Sequence, residues 1–302
     1  MNKLNISGLI HLVIVYIVWG STYLAIRVAV RSGSGFPPLI MSATRILVAS
    51  VILFGMARLL KQQTIRLTKQ DVGMLAISGI ALWWSGYGLV ATAEQTVGSG
   101  YAALVISSTP IWVAIIESVL DRKRPSLLLI LSLFIGAAGI VALNWPAIST
   151  GNLGDLKGAL MLIVASFSWG SGSIYQKRKN IQASPEVRSA VQQFFGGIAL
   201  LLTSFAIGEP TINPIPSAWW SWGFLVIFGS VIAFTSFIKA LTFLPPNVVF
   251  TYAFVNPVIA VILGFFILGE PITQWTLMGA SLVIMGVFGV FKDQKESAPQ
   301  LP

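Results

Sequence analysis

Ten apolar runs of roughly 17 to 25 residues, the length a helix needs to cross a bilayer, follow one another with only short polar connections. In hydrocarbon every backbone N–H and C=O must be paired inside the protein, so these runs are expected to be helices. They fall at about residues 7–29, 38–60, 71–92, 100–119 and 126–144, then 156–176, 187–207, 217–241, 247–268 and 274–291. Lys3 followed by the first run superficially resembles a secretory leader. The run continues well past a leader's apolar core without a small-residue cleavage site, so it reads as the first span.

Composition narrows the class. With 55% hydrophobic and 10% charged residues and a mean hydropathy of +0.83, the chain lacks the polar surface of a soluble domain. The expected fold class is an all-α integral membrane protein of ten transmembrane helices. The net charge of +9 comes from short basic clusters between spans rather than from one basic face interleaved with aromatics. It therefore speaks for topology and against nucleic acid as a partner. With the N-terminus inside, fifteen Lys and Arg fall on the cytoplasmic side and three, Arg27, Arg31 and Lys157, outside. That asymmetry places both termini in the cytoplasm.

A duplication is written into the runs. Trp19-Gly20-Ser21 recurs as Trp169-Gly170-Ser171, and Ala91 to Pro110 can be laid without a gap on Ile238 to Pro257, so that the mid-run prolines Pro110 and Pro257 coincide. The reading is a first five-helix repeat over residues 1–148, a second over 149–292 and a disordered cytoplasmic tail over 293–302. Five helices return the chain to the opposite side, so the second repeat enters the membrane inverted. Inverted repeats around a midplane site are a recurring construction of secondary transporters.

Candidate site residues follow from what is awkward in a bilayer. A proline within a helix removes a backbone hydrogen bond and bends the axis. Pro110 and Pro257 are therefore assigned to helices that move, with Thr109 and Asn256 placed to satisfy the freed carbonyls or meet a ligand. Trp19 and Trp169 lie too deep for the interfacial aromatic belt. With Trp84, Tyr87, Tyr101, Phe237 and Tyr252 they are expected to wall a cavity, while Ser21, Ser107, Ser171 and Asn256 supply polar contacts. Trp84, Tyr87 and Ala91 share one face at α-helical spacing. A charge inside a span is a functional candidate, and Arg45 is expected to pair with Glu94 or touch substrate. Ser132 and Gly139 match Gly279 and Gly286, small residues that allow the fifth and tenth helices to pack closely, within the chain or across a homodimer.

No cysteine is present, only one histidine, His11, and no nucleophile, base and orienter set or phosphate-cradling loop. Neither an enzyme nor a cofactor or metal protein is expected.

Trp19-Gly20-Ser21-Thr22-Tyr23, Arg45-Ile46-Leu47 and Asn256-Pro257 before Leu268-Gly269-Glu270-Pro271 together resemble the drug/metabolite transporter superfamily, and within it the EamA-type exporters. In the first half the corresponding turn, Leu120-Asp121-Arg122-Lys123-Arg124-Pro125, lacks the glutamate. The resemblance implies export of small metabolites, amino acids prominent among them, through a cavity formed by the first, third, fourth, sixth, eighth and ninth spans. The expectation is a multi-pass protein of the cell inner membrane whose partners are the bilayer and a small amphipathic substrate. Amino acids with aromatic or apolar side chains lead, with drugs, nucleosides or sugars as the alternative and a non-transporting scaffold behind them.

Overall fold

The computed structural model describes residues 5–30, 33–59, 67–97, 99–149, 151, 156–179, 181–263, 265–266 and 272–297, and throughout them the regular structure is helix. In chain order these are α1 (Ile6–Val30), α2 (Pro38–Leu59), α3 (Lys69–Ala93), α4 (Ser99–Ile106), α5 (Thr109–Asp121), α6 (Leu127–Leu143) and α7 (Trp145–Ser149). The remainder are α8 (Leu156–Lys177), α9 (Pro185–Ile207), α10 (Pro216–Phe243), α11 (Pro246–Val249), α12 (Tyr252–Leu263) and α13 (Gln274–Ser297). Among the described residues eight helices are long and apolar enough to cross a membrane, and α6 is a shorter apolar helix. The protein is an all-α membrane protein.

Helix ends are set by local chemistry. Thr68 and Asp71 form a reciprocal capping box at the start of α3, and the Ser126 and Ser184 hydroxyls cap α6 and α9. Such caps are worth about 1 kcal/mol each. Gly208, with φ +68°, ends α9 in the left-handed conformation that glycine adopts most freely. The following residue, Glu209, turns back onto the other half of the chain. Its carboxylate accepts from the backbone N–H groups of Leu39 and Ile40, both at 2.9 Å, and from the Ser204 hydroxyl at 2.7 Å. An acidic group from residue 209 thus caps α2, and its charge lies at the positive end of that helix dipole.

Two spans expected as continuous helices are broken. The fourth divides at Ser107–Ser108 into α4 and α5, so Pro110 occupies the first turn of α5 rather than a helix interior. There its missing N–H costs little. The freed carbonyl of Ile106 accepts from the Thr109 hydroxyl at 2.6 Å. The ninth span divides at Phe250–Thr251, and Pro257 lies inside α12. At the C-terminal end, α13 runs on to Ser297, into the segment expected to be disordered from residue 293. Asp293 is buried, and its carboxylate accepts from Ser126. Glu270 and Pro271 of the Leu-Gly-Glu turn lie outside the described residues.

The most extensive helix pairings are α6 with α13 and α2 with α9. Both join equivalent positions of the two halves. In the first, a Cβ on Gly139 would lie 2.8 Å from the Gly279 carbonyl oxygen, and one on Gly286 would lie 2.7 Å from the Gly136 nitrogen. The small residues expected to permit close contact are therefore consumed inside the chain. α1 packs against α10 and α12, whereas α8 packs against α3 and α5. Each half thus receives the leading helix of the other, which brings residues 19 and 169 together at the centre.

A candidate binding cavity between the two halves

Both α3 and α10 contain an unpredicted stretch of π-helix, Ile80–Gly88 and Leu225–Ala233. The two lie at equivalent places in the halves. With i→i+5 bonding the turn is wider than in an α-helix, and such stretches are rare and concentrate at functional sites. In α10 the widened stretch presents Gly229 and Ser230 to the first half. The Gly229 carbonyl accepts from Trp19 Nε1 at 3.2 Å, and the Ser230 hydroxyl accepts from Arg45 Nε at 2.7 Å.

Between these helices lies an open cavity whose empty space, with the adjoining solvent included, is about 680 Å³. Its wall includes Trp19, Thr22, Tyr23 and Ile26 of α1, Arg45 of α2, and Trp83, Gly86, Tyr87 and Val90 of α3. Ile106 and Thr109 bracket the α4–α5 break, Ala165, Ser166 and Trp169 come from α8, and Tyr252 and Asn256 come from α12. The cavity runs from the middle of the molecule toward the C-terminal ends of α1 and α3. Its floor is aromatic. Trp19 meets Trp169 edge to face with centroids 5.6 Å apart and Tyr252 at 5.0 Å, and Phe237 packs behind them, 5.2 Å from Trp19.

Of the residues singled out in the sequence, Trp19, Arg45, Tyr87, Thr109, Trp169, Tyr252 and Asn256 line this cavity. Phe237 is fully buried and supports the floor from behind. Trp84 does not reach it. The residue is 42% exposed and its Nε1 donates to Thr203 at 2.8 Å, while Trp83 and Tyr87 face inward. Ser21, Ser107 and Ser171 also lie off the wall, their hydroxyls donating to the carbonyls of Val18, Leu104 and Phe167. The side chain of Tyr101 lies outside the described residues. Pro110 and Pro257 are both buried next to wall residues, at the two helix irregularities.

The missed residues were partly legible. Trp19, Thr22, Tyr23 and Ile26 follow the i, i+3, i+4, i+7 spacing of one helical face, which selects Thr22 and Tyr23 over Ser21. Trp83, Gly86, Tyr87 and Val90 of α3 follow the same spacing, so Trp83 is open to the same argument. Asn256 serves α1 as well as its own helix. With its amide oriented to satisfy both neighbours, Nδ2 donates to the carbonyls of Tyr252 at 3.1 Å and Tyr16 at 3.2 Å.

Arg45 does not pair with Glu94. Its guanidinium is fully buried, donating from Nη1 to the Tyr87 hydroxyl at 2.6 Å and lying 4.7 Å above the Tyr87 ring. Glu94 stands seven residues beyond Tyr87, about 10 Å farther along the helix, just past the end of α3. Its carboxylate oxygens are buried without a hydrogen-bond partner. Burial pushes the carboxyl up to about 8, and the charge of Arg27 works against that rise.

Comparison with known proteins places this geometry. The chain matches the EamA-like transporter family over residues 6–145 and again over 156–292. It is 33% identical over 275 residues, covering 90% of this chain and 86% of the relative, to the protein named uncharacterized inner membrane transporter YedA of Escherichia coli (strain K12). It is 23% identical over 291 residues, 94% of this chain and 96% of the relative, to the uncharacterized transporter YoaV of Bacillus subtilis (strain 168). A solved structure described as "Crystal structure of protein" shares the fold with a TM-score of 0.78 at 17% identity, over 97% of this chain and 99% of that one.

Proposed function

This chain belongs to the EamA-like transporter family, and on that premise we propose that it is a secondary transporter of the inner membrane that exports small amphipathic metabolites by alternating access. Amino acids with aromatic or apolar side chains are the leading substrates. The observation that carries this reading is the cavity itself, with polar groups set in an aromatic wall and contributions from both halves of the chain. Aromatic faces take up an apolar body, while a few fixed polar groups orient its head.

With both termini cytoplasmic, the cavity occupies the external half and its aromatic floor seals it from the cytoplasm. This is the geometry of an outward-facing state. Beneath the floor, Gln192 is buried and donates to Ser78 Oγ at 2.6 Å and Gln176 Oε1 at 2.9 Å. Gln176 Nε2, Gln192 Oε1 and Gln193 Oε1 there lack partners. Polar groups left dry in this way favour water, and an inward-facing state that wets them relieves their desolvation. Exchange between the two states requires α4–α5 and α12 to shift, and the breaks at Ser107–Ser108 and Phe250–Thr251 provide the bending points.

The test is flux in proteoliposomes loaded with labelled phenylalanine or leucine. Efflux accelerated over empty vesicles, and stimulated by the same amino acid outside, is the expected result. Failure to accelerate any amino acid sinks the substrate assignment.

A further inference from the structure

We propose that Arg45 is the substrate-recognition residue of this cavity and that it selects compounds with a single carboxylate on an aromatic or branched apolar body, whether or not they carry an amino group. The proposal rests on the carrier reading above and narrows its substrate class.

Arg45 is 2% exposed and lines the cavity. Its hydrogen-bond partners, Ser230 Oγ and Tyr87 Oη, are neutral. Arg178 pairs with Asp121 and Lys239 with Glu186, and neither pair involves Arg45. A guanidinium stays charged at every accessible pH, so within the described protein the cavity wall carries a full positive charge with no carboxylate to balance it. Stacking on Tyr87 and Trp83, at 4.7 and 5.7 Å, holds the group in place without neutralising it.

The neighbouring hydrogen-bond capacity has the same sense. Trp83 and Trp169 both line the cavity with ring centroids 5.8 Å apart; the Trp83 indole N–H is buried without an acceptor, and the Trp169 N–H has the Tyr252 hydroxyl beside it. Tyr87 accepts from Arg45, which leaves its own O–H to donate. One cation and two unused donors, Trp83 Nε1–H and the Tyr87 O–H, therefore gather on one side of a largely aromatic space. The complementary ligand is an acceptor carrying one negative charge, and a carboxylate meets a guanidinium through two parallel hydrogen bonds. No acidic side chain lines the cavity to balance an ammonium group. Affinity is thus expected to depend on the carboxylate and to tolerate loss of the amine.

Thermal unfolding of the purified protein with three matched probes tests this, because a ligand bound only by the folded state raises the midpoint. Phenylalanine and 3-phenylpropionate are expected to raise it, and phenylalanine amide, which keeps the amine and loses the negative charge of the carboxylate, is not. Arg45→Gln should abolish both responses. Should that variant fail to fold, Tyr87→Phe keeps the ring under the guanidinium and removes one donor, with carboxylate affinity expected to fall about tenfold. Equal responses to the amide and the acids, an unchanged carboxylate response in Arg45→Gln, or no response to either carboxylate overturns the proposal. Flux of a neutral sugar or nucleoside by a protein blind to carboxylates would retain the carrier and discard the anion site.

Discussion

Trp19 and Trp169, the same residue of a motif written twice in the chain, meet at the floor of the cavity with their rings 5.6 Å apart and inclined at 76°. Trp19 is further anchored by its hydrogen bond to the Gly229 carbonyl, whereas the Trp169 N–H has the Tyr252 hydroxyl, in its own half, as its neighbour. The two copies have therefore diverged in role: the indole N–H of one is tied to the opposite half of the protein, and that of the other stays with its own half.

That difference gives the first prediction. Trp169→Ala removes a ring that touches Trp19, Trp83 and Phe237. It is expected to cost about 3 kcal/mol, the low end for aromatic truncation because the residue is only half-buried. Trp169→Phe keeps a ring and should stay within about 1.5 kcal/mol of the wild type. Unfolding in detergent measures both, and flux measured alongside should collapse in the alanine variant. A folded alanine variant with undiminished flux would take Trp169 out of the site.

Glu209 offers a second test, on stability alone. Glu209→Ala deprives the first two N–H groups of α2 of their acceptor and is expected to cost about 1–2 kcal/mol. Glu209→Gln should recover part of the loss, because an amide oxygen accepts one of those bonds without the charge. Because the contact joins the two halves, limited proteolysis of the alanine variant should open the connection after Gly208 first.

The small-residue seam of α6 and α13 predicts a packing defect. A Cβ at Gly139 would lie 2.7 Å from the Val283 nitrogen, so Gly139→Ala forces the helices apart at about 1–3 kcal/mol. The expected outcome is a lower unfolding midpoint with an unchanged elution volume in size-exclusion chromatography. A shift in oligomeric state at constant stability would instead make the seam a homodimer interface.

Glu94 predicts a pH dependence. Its carboxyl in the folded protein lies near 8 against an ordinary value of 4.5, because burial outweighs the attraction of Arg27. A raised value means that the folded protein binds the proton more tightly than the unfolded chain. Stability linked to this group is therefore fully present below about 4.5 and is lost as the pH rises through about 8. Glu94→Gln, always neutral, should match the wild type at the acid end and become the more stable protein at the alkaline end. Parallel midpoint curves for the two proteins across that window would contradict the assignment.

Much of this protein is determined by the sequence alone. Span positions follow from hydropathy, since the length of apolar chain that crosses hydrocarbon is fixed by bilayer thickness. The doubled tryptophan motif and the paired prolines mark the two halves, and Thr109 beside Pro110 announces the carbonyl it satisfies. Each of these is local or repeats along the chain.

What faces the cavity was decided in three dimensions. Lipid and protein interior are both apolar, so the spacing of Trp19, Thr22, Tyr23 and Ile26 marks one face of α1 without showing that it turns inward. Along α3 the inward face is Trp83, Gly86, Tyr87 and Val90, and packing chose it over the neighbouring face that carries Trp84. The partners of Arg45 come from Tyr87 on α3 and Ser230 on α10, 42 and 185 residues away in the chain. Charge alone favoured Glu94, but helix rise carries that carboxylate out of reach. Only the packing of the halves shows a guanidinium left without a counter-charge at the wall of an aromatic cavity.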